Sequence, residues 1–99
     1  MNELKERLMN AYSSTCHKTL DQLSSDDDKS VVYLVANNPN TSKNTILSLC
    51  KNGAEFIKLS ILNNTKSDLD ILIALSKDAN ENVSKRAKQK RINIIGLLK

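Results

Sequence analysis

Slid along itself by 26 residues, the chain brings its apolar positions into columns. Leu20, Ile46 and Leu72 fall in one column, Leu23, Leu49 and Leu75 in a second, and Val31, Ile57 and Val83 in a third. Met9, Val35, Ile61 and Ala87 make a fourth. Generic helical patterning alone would produce apolar columns of this kind. Polar columns are harder to produce, yet Thr15, Thr41 and Ser67 coincide, as do Asn37 with Asn63 and Asn38 with Asn64. Together they mark a repeating unit.

Each column predicts a physical role. Thr15, Thr41 and Ser67 stand just before apolar-periodic stretches, where a side-chain oxygen caps the free N–H groups of a helix's first turn. The helices they open are predicted over roughly 16–24, 42–50 and 68–76, with core positions such as Ile46 and Leu49 on one face. The polar stretches S-S-D-D-D-K-S, C-K-N-G-A-E-F and S-K-D-A-N-E-N then lead into second helices near 29–37, 55–63 and 81–91. The Asn pairs close these helices, because Asn tolerates the left-handed conformation and Pro39 cannot continue a helix. With neighbouring helix axes about 10 Å apart, the Asn side chains of successive units are expected not to meet, and each pair to satisfy its own turn. A first helix near 2–12, with Leu4, Leu8 and Met9 inward, completes the set.

A helix pair of this length cannot bury both its faces alone, whereas stacked neighbours can. The expected fold is therefore all-α: a right-handed α-solenoid of about three and a half helix pairs in one domain, 1–99. Its units fall at about 5–30, 31–56 and 57–82, with 83–99 truncated. Asn93 occupies the capping column and Leu98 the column of Leu20, so a fourth capped helix is expected only as the stub I-I-G-L-L-K, weakened by Gly96. Ile94, Ile95, Leu97 and Leu98 are expected to fold over the helix at 68–76, whose apolar surface Leu69 and Ile73 broaden. Where the stub falls short, a second copy would supply the cover and give a homodimer through the C-terminal end.

The stretches V-A-N-N-P-N-T-S-K-N-T-I-L-S-L-C-K-N and L-S-K-D-A-N-E-N-V-S-K-R-A resemble the leucine-rich repeat variant, a HEAT-like helical repeat family. That family's repeat has an Asn-Pro turn, Thr or Ser, a Leu-rich helix, Asp, and a Val-Arg pair opening the next unit. The resemblance spans about residues 15–91 and departs at Thr65, where Pro is the pattern, and at Lys58, where Arg is. Some members carry an N-terminal iron–sulfur domain with clustered cysteines. Cys16 and Cys50, 34 residues apart, imply no such cluster here.

Composition narrows the picture. Of 99 residues, 39% are hydrophobic but only 3% aromatic, so the core must be aliphatic, built from many burials of roughly 1.5–3 kcal/mol each. There is no apolar run of membrane-spanning length and no secretory h-region, so a cytoplasmic protein with free thiols is expected, with no membrane partner. Residues 1–82 hold 9 Lys/Arg against 11 Asp/Glu, whereas 83–99 hold six basic residues and no acid.

Enzymatic function has little support: two glycines form no phosphate loop, and no carboxylate pair falls in an obvious cleft. Cys16-His17 with Cys50 lacks metal-site spacing. The Asp26–Asp28 run reads as a helix-start cap, because nothing like a calcium loop follows it. No cofactor or metal is implied. The expected function is a non-catalytic protein-interaction module, or a small regulator or inhibitor docking on a larger complex. Its candidate surface is Leu47, Ile73, Leu69, Tyr33 and Leu59, drawn largely from columns that vary between units. The alternative is nucleic-acid binding through Lys85, Arg86, Lys88, Lys90 and Arg91, a cluster that also suits the solvated outer face of a terminal helix.

Overall fold

The computed structural model describes residues 3–64 and 68–97, and every regular element among them is helical. Helix α1 spans Leu4–Ser13, α2 His17–Leu23, α3 Lys29–Asn37, α4 Lys43–Asn52, α5 Glu55–Asn64, α6 Leu69–Ser76 and α7 Glu81–Leu97. The odd-numbered helices lie side by side, α1 on α3, α3 on α5 and α5 on α7, with α2, α4 and α6 packed against them. Helix α4 also rests on α6, and the whole measures 51 × 24 × 16 Å. Among the described residues, no helix is long and apolar enough to cross a membrane.

The helix starts lie one residue beyond the expected caps. The N-cap residues of α2, α4 and α6 are Cys16, Ser42 and Asp68. Ser42 accepts from the Thr45 N–H, and Asp68 from those of Asp70 and Ile71, the donors a helix leaves unpaired in its first turn. Thr41 works on the other side of the turn: its hydroxyl donates to the Val35 carbonyl at 2.6 Å, near the end of α3. Thr15 is exposed, and Ser67 lies outside the described residues, as do Thr65 and Leu98. The caps of α3 and α7 are Asp28, which accepts from the Ser30 N–H, and Asn80, which accepts from those of Asn82 and Val83.

Asn38 ends α3 without a left-handed backbone. Its φ of −78° and ψ of 122° are extended, as Pro39 imposes on the residue before it, and no described residue has positive φ. Its buried side chain reaches across to α1, donating to the carbonyls of Ala11 at 3.0 Å and Ser14 at 2.9 Å. Its own oxygen accepts from the Asn40 N–H. One amide therefore satisfies the end of α1 and shapes the turn after α3.

The Asn side chains of successive turns do meet, contrary to the expectation. Asn64 Nδ2 donates to Asn37 Oδ1, which also accepts from the Ser60 hydroxyl. The expectation measured axis to axis. Two axes 10 Å apart leave facing Cα atoms only about 5 Å apart, because each helix has a Cα radius of about 2.3 Å.

Two ion pairs brace the opposite end. Arg7 Nε lies 2.8 Å from Asp26 Oδ2, and Lys58 Nζ 2.5 Å from Asp78 Oδ2. The other oxygen of each carboxylate accepts from a turn N–H two residues on, Asp28 or Asn80. In the turn between them Asn52 replaces Asp, and Gly53 approaches so closely that a Cβ would sit 2.6 Å from the Leu49 carbonyl oxygen.

The core is aliphatic. Val31, Ile57 and Val83 are each at most 1% exposed, and Leu20, Val35, Leu72, Leu75 and Ala87 are fully buried. Met9 does not share the burial of its column: it is 60% exposed, and Leu4 is also exposed. Helix α1 turns Leu8 and Ala11 inward instead.

Helix α7 is continuous over 17 residues, through Asn93 and Gly96, and no separate stub forms. Where α3 and α5 carry Asn-Asn, α7 carries Gln89-Lys90, followed by Arg91 in place of Pro39, all good helix formers. Ile94 packs against the core, while the side chains of Ile95 and Leu97 lie outside the described set. The cover that α6 needs comes from α7, against which it packs along its length.

Two stability tests follow. Asn38→Ala should cost on the order of 2–3 kcal/mol in urea unfolding, leaving buried carbonyls unpaired, whereas Asn64→Ala, an exposed site, should cost under about 1 kcal/mol. Burial raises the Asp78 carboxyl, but the Lys58 hydrogen bond and the Asn80 N–H outweigh it and hold it below its ordinary value. Its contribution is therefore present above the unfolded carboxylate value, near 4, and is lost as pH falls through the folded one. Asp78→Asn should destabilise by about 2 kcal/mol at pH 7, and its gap to the parent should close as unfolding is repeated towards pH 3.

Candidate functional site

The three aromatic side chains of the chain are all exposed: Tyr12 by 74%, Tyr33 by 41% and Phe56 by 47%. Tyr33 of α3 and Phe56 of α5 stack across the junction of their helices, ring centroids 6.0 Å apart and planes at 27°. With Ser30 and Leu34 they line an open hollow of about 410 Å³. Leu59, one turn along α5 from Phe56, is half-buried and packs on the core. The acid next to Phe56, Glu55, accepts a hydrogen bond from Asn80, so its carboxylate is held towards the α7 turn.

The five residues expected as one surface divide between two sets of helices. Tyr33 and Leu59 lie on α3 and α5; Leu47 lies on α4, and Leu69 and Ile73 on α6. Leu47 and Leu69 pack against the core and Ile73 is half-buried, so only Tyr33 of the five is exposed. The faces of α4 and α6 are also bridged by polar links. Lys43 Nζ sits 2.6 Å from Asp70 and 3.5 Å from Asp68, and the Thr45 hydroxyl donates to Asp21 of α2 at 2.9 Å.

Phe56 is the residue that sequence reasoning missed. At the 26-residue shift it stands with Ser30 and Asn82, a polar column, which places the chain's single Phe on a solvent-facing position.

The basic cluster is not uniform either. Lys85, Arg86 and Lys88 are exposed on α7, but Lys90 and Arg91 are half-buried. Lys90 Nζ donates to the Leu62 carbonyl at 2.6 Å, one of the last carbonyls of α5, which the helix itself leaves unpaired. Beside it, Leu62, Asn63, Arg86, Gln89, Lys90 and Asn93 line a second open hollow of about 380 Å³ between α5 and α7.

The Asp run and the cysteines have structural surroundings. Asp26 pairs with Arg7, Asp28 caps α3, and no group of three or more His, Cys, Asp or Glu able to hold a metal ion occurs among the described residues. Burial pushes the Cys50 thiol up to about 11. Cys16 is exposed, and the Thr19 N–H, the Thr19 hydroxyl and the Lys18 N–H lower its value. At pH 7.5, iodoacetamide followed by peptide mass mapping should modify Cys16 in the folded protein, and Cys50 only after urea is added.

Compared with protein-family models, with curated proteins and with solved structures, the chain matches none.

Proposed function

We propose that the chain is a right-handed α-solenoid of 26-residue helix pairs, related to the leucine-rich repeat variant and HEAT-like repeats, that serves as a non-catalytic protein-interaction module. The side-by-side packing of α1, α3, α5 and α7 supports the architecture. So do the links from Asn38 to Ala11 and Ser14, from Ser60 to Asn37 and from Lys90 to Leu62, each joining residues 23 to 28 apart.

The observation that carries the function is the stacked, exposed pair Tyr33 and Phe56. A chain with so few aromatics keeps them out of its core, where burial would stabilise it, and sets two of them over one apolar hollow. Rigid aromatic groups of this kind anchor protein interfaces. A regulator that docks on a larger assembly is the same reading at another scale. Nucleic-acid binding by α7 ranks below it, because Lys90 is engaged with α5 and three exposed cations remain among the described residues of α7.

The test is affinity capture from host lysate after nuclease digestion, comparing the parent chain with a Tyr33→Ser/Phe56→Ser variant. Both sites are exposed, so the variant should keep its helical circular dichroism and lose no more than about 1 kcal/mol of stability. A protein retained by the parent and lost by the variant supports the module. Retention that nuclease abolishes, or that the variant leaves intact, rejects it.

A further inference from the structure

We infer that the partner presents an acidic, amphipathic segment: an aromatic or large aliphatic side chain for the Tyr33–Phe56 hollow and carboxylates for Lys85 and Arg86. The inference rests on the docking reading above and adds to it the chemistry of what docks.

Two surface hollows lie on either flank of α5. The apolar one, at Phe56, is shared with α3; the basic and amide-lined one, at Leu62 and Asn63, is shared with α7. Six residues of helix separate Phe56 from Leu62, about 9 Å along the axis, and α7 lies one helix spacing of about 8–10 Å to the side. On the proposed 26-residue register Tyr33, Leu59 and Lys85 hold the same place on α3, α5 and α7. The surface therefore passes from aromatic through aliphatic to cationic across three neighbouring helices.

Charge is one-sided at the far end of this path. From Val83 onward the sequence contains no acid, and Lys85, Arg86 and Lys88 are exposed with no ion pair to an acidic residue found for any of them among the described residues. Of the acids at the starts of α3 and α5, Glu55 is engaged with Asn80 and Asp28 with its own helix cap, while Asp27 is exposed. Arg86 lines the second hollow and Lys85 shares the register of Tyr33 and Leu59, so a purely apolar segment would leave these cations unmatched, and a basic one would be repelled. An acidic segment satisfies both ends, the apolar anchor supplying affinity and the carboxylates supplying orientation and encounter rate. The spacing sets its length. Anchor and carboxylates fall about four residues apart in an extended segment, or about seven apart along one helical face.

The probe is a phage-displayed library of random 16-residue peptides, panned on the full chain after depletion on the Tyr33→Ser/Phe56→Ser variant. Enriched peptides should carry an aromatic or large aliphatic residue with several Asp or Glu at the stated spacing. Their synthetic forms should weaken at least tenfold on Phe56→Ser and at least fivefold on Lys85→Glu/Arg86→Glu, with affinity falling as salt is raised. Enriched peptides that lack acidic residues, or that ignore the charge reversal while still losing affinity on Phe56→Ser, overturn the acidic partner and leave the docking reading standing. No enrichment over the depleted background overturns both. Binding of a 30-nucleotide single strand or duplex that the charge reversal abolishes, and that displaces the peptides, assigns the α7 cations to nucleic acid and overturns the inference.

Discussion

The structure depends on satisfying helix ends from neighbouring helices. Every helix terminus leaves backbone groups unpaired, and the seven helices among the described residues put many such ends close to apolar contacts. In α1 and α5 the carbonyl ends are met from the side. Asn38 reaches back to α1, and Lys90 reaches back to α5. Two chemically unlike side chains do the same physical work, one a neutral amide with two donors and the other a cation attracted to the negative end of a helix. The N–H ends are met locally, by Ser42, Asp68, Asp28 and Asn80. Local caps set where each helix starts; lateral links hold its end against its neighbour.

Much of this was legible in the sequence because it rests on periodic positions. Helices α1 to α6 lie within about two residues of their expected spans, and the column of Val31, Ile57 and Val83 is uniformly buried. The errors have specific causes. The caps were displaced by one because Thr and Ser at 41 and 42 are both capable residues, and only Thr41's bond to Val35 separates their roles. The column points Met9 inward, but on α1 it is Leu8 and Ala11 that pack on the core. The continuity of α7 was readable in Gln89-Lys90-Arg91, where the other units carry Asn-Asn followed by Pro or Thr. The candidate surface was less legible. Tyr33 was found as a variable position, whereas its stacking partner lay in a column that otherwise looked like plain solvent-facing polarity.

A nearly aromatic-free core also has a consequence for the surface. Val, Ile, Leu and Ala fill the space between the helices, and none of the three aromatic rings belongs to the buried core. Tyr33 and Phe56 are held chiefly by each other and by the helices beneath them. They are thus free to contribute to recognition independently of folding.

The even-numbered helices are linked laterally at their starts. Lys43 in the first turn of α4 crosses to Asp68 and Asp70 at the start of α6, and the buried Thr45 donates to Asp21 of α2. Between the odd helices, Asn37 at the end of α3 meets Ser60 and Asn64 of α5, and Lys58 of α5 meets Asp78 in the turn before α7. The side chains of Tyr33, Leu59 and Lys85 take part in none of these links. Lys90 shows the division within one helix. It belongs to the same basic run as Lys85 and Lys88, yet its position five and two residues on from them brings it to the α5 carboxy end, where it serves the fold. Position along the helix, more than residue type, separates the cations that hold the structure from those available to a partner.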